Sequence, residues 1–182
     1  MRKLTFVFVS MLIAATASAQ QIDLKALDKL AAKAKSKTEI NLDEATIKAG
    51  AGLLNQKKVD EALGKKASKD MKGLFLRSYE FAQKGAYKPE DLKPVLDQLK
   101  GADWSAILKN TEDDEQTEIW LHKTNGQADG MLLIAMEANE VTVINAMGLT
   151  QLADLAVLGA LGDAAKKESK EAEKPETKKD ED

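Results

Sequence analysis

No cysteine occurs in the 182-residue chain. That absence excludes disulfides, thiolate metal sites, a cysteine nucleophile and lipid attachment at a cysteine. Histidine occurs once, as His122, so a transition-metal site would have to be built mainly from carboxylates, and no spacing of acids resembles one. The same shortage bears on hydrolysis: a serine nucleophile needs a base, only His122 is on offer, and no serine sits in G-x-S-x-G. Carboxylate pairs of the glycosidase kind are not excluded, but nothing in the sequence selects two acids from thirty. Basic residues are also in deficit, with 27 Lys and Arg against 30 Asp and Glu. Nucleic acid, whose binding rests on clustered cations, is therefore not an expected partner.

What is present begins with MRKLTFVFVSMLIAATASA. A basic start, an apolar run from Leu4 to Ala15 and the ending Ala17-Ser18-Ala19 form a secretory signal, which predicts a mature chain from Gln20. Removal of Arg2 and Lys3 leaves a net charge of about −5. No later stretch approaches the roughly 18 apolar residues that a membrane helix needs, so no transmembrane segment is expected after cleavage. At the other end, residues 163–182 mix both charge signs without a large apolar side chain, and a disordered tail is expected there.

Between these lie an amphipathic helix over 20–37 and a single α+β domain over 38–162. The helix places Leu24, Leu27 and Leu30 on one stripe. EINLD, from 39 to 43, reads as an edge strand leading into a helix to about Asn55, and a second helix covers Val59 to Met71. GLFLRSYEF, from 73, alternates with bulk on both faces: Leu74 and Leu76 against Phe75, Arg77, Tyr79 and Phe81. KPEDLKPVLDQLKG is a helix whose Pro94 removes a backbone donor and predicts an irregular first turn. Four strands follow from Trp104, then a leucine-rich helix from Leu149 to Leu161. The fold expected is α+β, an antiparallel sheet of about five or six strands with helices packed mainly on one face.

Asn125-Gly126 predicts a two-residue type I′ hairpin turn with Thr124 facing Gln127. A regular ladder from that turn sets His122 opposite Asp129, Trp120 opposite Met131 and Ile119 opposite Leu132. Ile119, Leu121, Leu132, Ile134, Met136, Val141 and Val143 then form the core under the helices. The second face collects Glu118, Trp120, His122, Asp129, Met131, Leu133 and Ile144, a mixed surface that is either covered by a flank of the chain or open as a contact patch. Arg77, Tyr79, Trp120, His122, Asp129, Met131, Leu133 and Ile144 are the candidate contact residues. His122 beside Asp129 reads as a structural cross-strand pair. TEDDEQTE, from 111, lacks the alternating ligands and glycine of a calcium loop and reads as a solvated hairpin or loop. Gly50-Ala51-Gly52 lacks the rest of a nucleotide fingerprint.

The order and spacing of RSYEF, KGAYKPEDLKPVLDQL, the Trp104 strand, EIWLHKTNGQADGMLLIAMEANEVTVINAMG and the closing leucine-rich helix resemble a family of small exported bacterial proteins known as domain of unknown function 4252. The resemblance runs from Val59 to Leu158. It implies an exported protein, of the soluble rather than the lipoprotein kind because no cysteine is present, and it carries over no catalytic residues. The function expected is an exported, non-enzymatic interaction module of the envelope, in sensing or assembly, with an unknown protein partner. The alternative is a carrier or sensor of an apolar small molecule or lipid held on the same face. No cofactor and no metal are expected.

Overall fold

A computed structural model describes residues 21–50, 70–101 and 103–148. Its frame is a six-stranded sheet formed by β1 (Ser36–Asp43), β2 (Gly73–Glu80), β3 (Trp104–Glu112), β4 (Glu115–Thr124), β5 (Gln127–Met136) and β6 (Glu140–Met147). The strands lie in the order β1-β2-β6-β5-β4-β3, and every neighbouring pair is antiparallel. This is the α+β arrangement expected, with six strands and a few short helices. The signal segment, most of the Val59–Met71 helix, the Leu149–Leu161 helix and the charged tail fall outside the described residues.

The two-faced character of GLFLRSYEF follows from its place. β2 is an inner strand, and its residues from Gly73 to Arg77 are all buried. Leu74 and Leu76 join Met131, Ile144 and Ala146 in a cluster on one face. Phe75 and Tyr79, with Phe81 just beyond the strand, join Leu132, Ile134 and Val143 under the helices on the other. A strand with apolar layers on both sides loses the polar alternation of a half-solvated strand.

The helical cover is built from two short pieces. A 3-10 turn at Leu24–Leu27 runs into α1 (Asp28–Ala31), and Leu24, Leu27 and Leu30 enter the core. This helix is shorter than the sequence pattern implied. Helical geometry ends at Ala31, the Lys35 amide is held 2.8 Å from the carbonyl of Glu80, and residues 36 and 37 already belong to β1. α2 (Glu44–Gly50) follows β1, with the Asp43 carboxylate accepting from the Thr46 amide at 2.7 Å. The second piece of the cover breaks where Pro94 predicts irregularity: a 3-10 turn Pro89–Leu92, a single turn of α3 (Lys93–Leu96) and a second 3-10 turn Asp97–Leu99.

Gln98 joins the two covers, its side chain accepting from the Asp23 amide (2.8 Å) and donating to the Asp23 carbonyl (3.1 Å). Asn145, fully buried on β6, fastens the same segment to the sheet. Its Oδ1 accepts from the Ile22 amide at 3.0 Å and its Nδ2 donates to the Met131 carbonyl at 3.2 Å.

The hairpin turn forms as expected, with positive φ at Asn125 (52°) and Gly126 (79°) and Thr124 opposite Gln127. The register beyond it is corrected by one residue. A β-bulge between His122 and Lys123 sets His122 opposite Gly130, Trp120 opposite Leu132 and Ile119 opposite Leu133. Asp129 is the extra residue, and its carbonyl accepts instead from the Gly148 amide at 2.7 Å. Because side chains alternate, that single insertion exchanges the faces of β4 relative to β5. Trp120 and His122 thereby share the helix-covered face with Leu132 and Ile134, while Ile119 and Leu121 join Met131 and Leu133 on the opposite face.

Candidate functional site

The eight candidate contact residues do not form one surface. Arg77, Tyr79, Trp120 and His122 lie on the face under the helices, Asp129 sits at the bulge beside His122, and Met131, Leu133 and Ile144 face the other way. Tyr79, Met131, Ile144 and His122 are buried, and Arg77 is only 9% exposed. The patch expected to be either open or covered is therefore divided by the sheet itself.

Arg77, Trp120, His122 and Asp129 are held by local hydrogen bonds. The Arg77 guanidinium donates from Nη1 to the carbonyls of Leu76 (2.8 Å) and Ile40 (3.2 Å), and from Nη2 to Asn41 Oδ1 (2.8 Å), which straps β2 to β1. Its Nε, the Tyr79 hydroxyl and His122 Nε2 are the buried side-chain polar atoms without a hydrogen-bond partner among the described residues. Burial pushes the Tyr79 phenol up to about 12, the nearby charge of Glu39 adds to the effect, and Arg77 opposes it. Trp120 is half-buried; its indole N–H donates to Glu118 at 2.8 Å, and the Lys109 ammonium lies 4.7 Å over its ring and 3.2 Å from the Glu118 carboxylate. His122 Nδ1 lies 2.6 Å from Asp129 Oδ1, and the imidazole packs edge-on against Trp104. The ring is 2% exposed, so the imidazole is buried and ties the bulge residue Asp129 to β4.

Two features that the residue patterns did not single out lie at the rim of the sheet. The first is β3 itself, an edge strand exposed from Ala106 to Glu112 and bulged between Ala106 and Leu108. Ile107 and Leu108, 41% and 42% exposed, are the exposed large apolar side chains among the described residues. The second is a cleft of about 520 Å³ between the Lys84–Pro89 loop, the β3–β4 turn and the β5–β6 turn. Tyr87, Pro89, Met136 and Ala138 supply apolar lining, and Asp113, Asp114, Glu115 and Glu137 supply carboxylates. An adjoining hollow adds Glu112 and Asn139. Lys84 reaches across to Asp114 at 3.2 Å. The Tyr87 hydroxyl is within donating reach of the carbonyls of Glu137 and Glu140, the latter at 2.8 Å, and burial raises its pKa to about 12. TEDDEQTE is thus the β3–β4 hairpin, with Asp113 at φ 48° in its turn.

Among the described residues no group of three or more His, Asp or Glu side chains is arranged to hold a metal ion. No described helix is long and apolar enough to cross a membrane. A strand at a sheet edge could have been found from sequence only through topology, since WSAILKNT reads as a strand without showing which side of it is open.

No curated protein and no solved structure matches the chain significantly. A family model matches residues 24–158, a range that spans every described strand, and the chain therefore belongs to the family described as domain of unknown function 4252.

Proposed function

We propose that this chain is an exported, non-catalytic interaction module that serves envelope sensing or assembly by holding a protein partner at the rim of its sheet. The observation that carries this reading is the β3 edge, where Ile107 and Leu108 stay exposed although every other large apolar side chain among the described residues is buried or partly buried. An open strand edge offers backbone donors and acceptors to another chain, which is how many binding modules take up a peptide. The carrier alternative has less support. It needs Trp120 and Met131 side by side as the floor of a pocket, and they lie on opposite faces.

Site-specific photo-crosslinking in cells tests the proposal. A crosslinker in place of Leu108 is expected to trap a protein adduct, whereas one in place of exposed Lys48 on α2 is expected to trap none. Equal trapping at both positions, or none at Leu108, would sink the reading. The exported part is checked by the mass of the purified chain, which is expected to begin at Gln20.

A further inference from the structure

We infer that the partner of the β3 edge is a basic, extended protein segment, which adds as a strand beside Leu108–Glu112 and directs lysine or arginine side chains to the carboxylates at the strand's end. The inference rests on the interaction-module reading and names the partner's chemistry.

Both edges of the sheet are open among the described strands, but they are not equivalent. β1 carries no exposed large apolar side chain, and the carbonyl of Ile40 is already taken by Arg77. β3 exposes Ile107 and Leu108. A lysine on an edge strand commonly guards it against pairing by pointing outward. Lys109 does not, because its ammonium is folded back over the Trp120 ring and onto Glu118. The residues of β3 from Ala106 to Glu112 are exposed, so an incoming backbone has access to them.

Charge selects the occupant. β3 ends at Glu112 and turns through Asp113 and Asp114 into Glu115, and Glu137 faces them across the cleft. Lys84 is the cation in that lining, and Asp114 already engages it. A segment with alternating apolar and basic residues satisfies both parts of the surface: its apolar side chains meet Ile107 and Leu108, and its cations meet the acidic end. A second copy would instead bring another acidic turn and a like net charge.

The test uses three synthetic ten-residue peptides on the purified chain: one alternates valine and lysine, one alternates valine and glutamate, and one is the lysine peptide with two valines replaced by proline. Affinity is read by calorimetry and contact by amide hydrogen exchange. The lysine peptide is expected to bind about tenfold or more tighter than the glutamate peptide, to weaken as salt rises, and to slow exchange of amides on β3. The proline peptide is expected to fail, because it cannot complete a ladder. The triple variant D113N/D114N/E115Q is expected to lose about fivefold or more in affinity for the lysine peptide with exchange in β2 and β6 unchanged. Equal binding of the lysine and glutamate peptides, protection that falls on an element other than β3, no binding up to about millimolar peptide, or self-association that protects β3 without peptide would each overturn the inference. None of these outcomes removes an adduct trapped at Leu108 in cells, so failure here is distinct from failure of the module reading.

Discussion

At the scale of single residues, the two tyrosines differ in a way that substitution can read. Tyr79 is fully buried with an unpartnered hydroxyl, whereas Tyr87 has carbonyl acceptors at Glu137 and Glu140. Removing a buried hydroxyl that makes no bond relieves a desolvation penalty, and removing one that makes a bond strands its acceptor. Tyr79→Phe is therefore expected to leave the melting temperature unchanged or higher, while Tyr87→Phe lowers stability by about 1 kcal/mol in urea denaturation. Both phenols are raised to about 12 in the fold, and an unfolded tyrosine titrates near 10. The folded chain consequently keeps protons that the unfolded chain has lost between those values. The stability this contributes is complete below pH 10 and falls as pH rises through 12. Since these are the only tyrosines in the chain, phenolate absorbance is expected to appear together with loss of structure above pH 10 rather than as a separate earlier step.

At the scale of elements, the N-terminal helical segment depends on few polar ties, and Asn145 supplies a buried one. Asn145→Ala leaves the Ile22 amide and the Met131 carbonyl without that partner, at a cost of about 2 kcal/mol or more. Faster hydrogen exchange over residues 22–31 than over β5 and β6 is the expected local signature. Gly148 is the other fixed point. Its φ is +84°, and a Cβ there would lie 2.0 Å from the carbonyl oxygen of Asp70. Gly148→Ala is accordingly expected to abolish accumulation of folded protein, with Ala135→Gly, on β5, as a milder comparison that still folds.

The same scale shows what a reader of the sequence can and cannot reach. Strand positions were legible from alternation, the turn from Asn125-Gly126, and the broken helix from Pro94. The register was not, because a bulge is one residue of backbone with no composition of its own. Asp129 fits a strand as well as it fits a bulge, and only its carbonyl bond to Gly148 decides. From that one residue came the assignment of Trp120 and Met131 to a shared face. The edge position of Ile107 and Leu108 was illegible for a different reason, since it depends on which strands stand next to β3 and on none of its own residues.

At the scale of the whole molecule, the sheet consists of two contiguous pieces, the β1–β2 pair and the meander from β3 to β6, joined along the seam between β2 and β6. That seam links positions far apart in sequence, as between Ser78 and Thr142, 64 residues apart. Contacts of this kind slow folding, and refolding from urea is expected on a timescale of about milliseconds to seconds rather than microseconds. A chain ending at Asn139, which lacks β6, is expected to show no cooperative melting in circular dichroism, because β2 and β5 then both lose a ladder neighbour. The topology also has a consequence in time. A ribosome makes β1 and β2 before the meander and β6 after every other described strand, so the inner strand Leu74–Tyr79 waits for its second neighbour until the other five strands have been made. Until then the nascent chain has no finished sheet to unravel, and it remains threadable through a narrow pore while the first five strands are made.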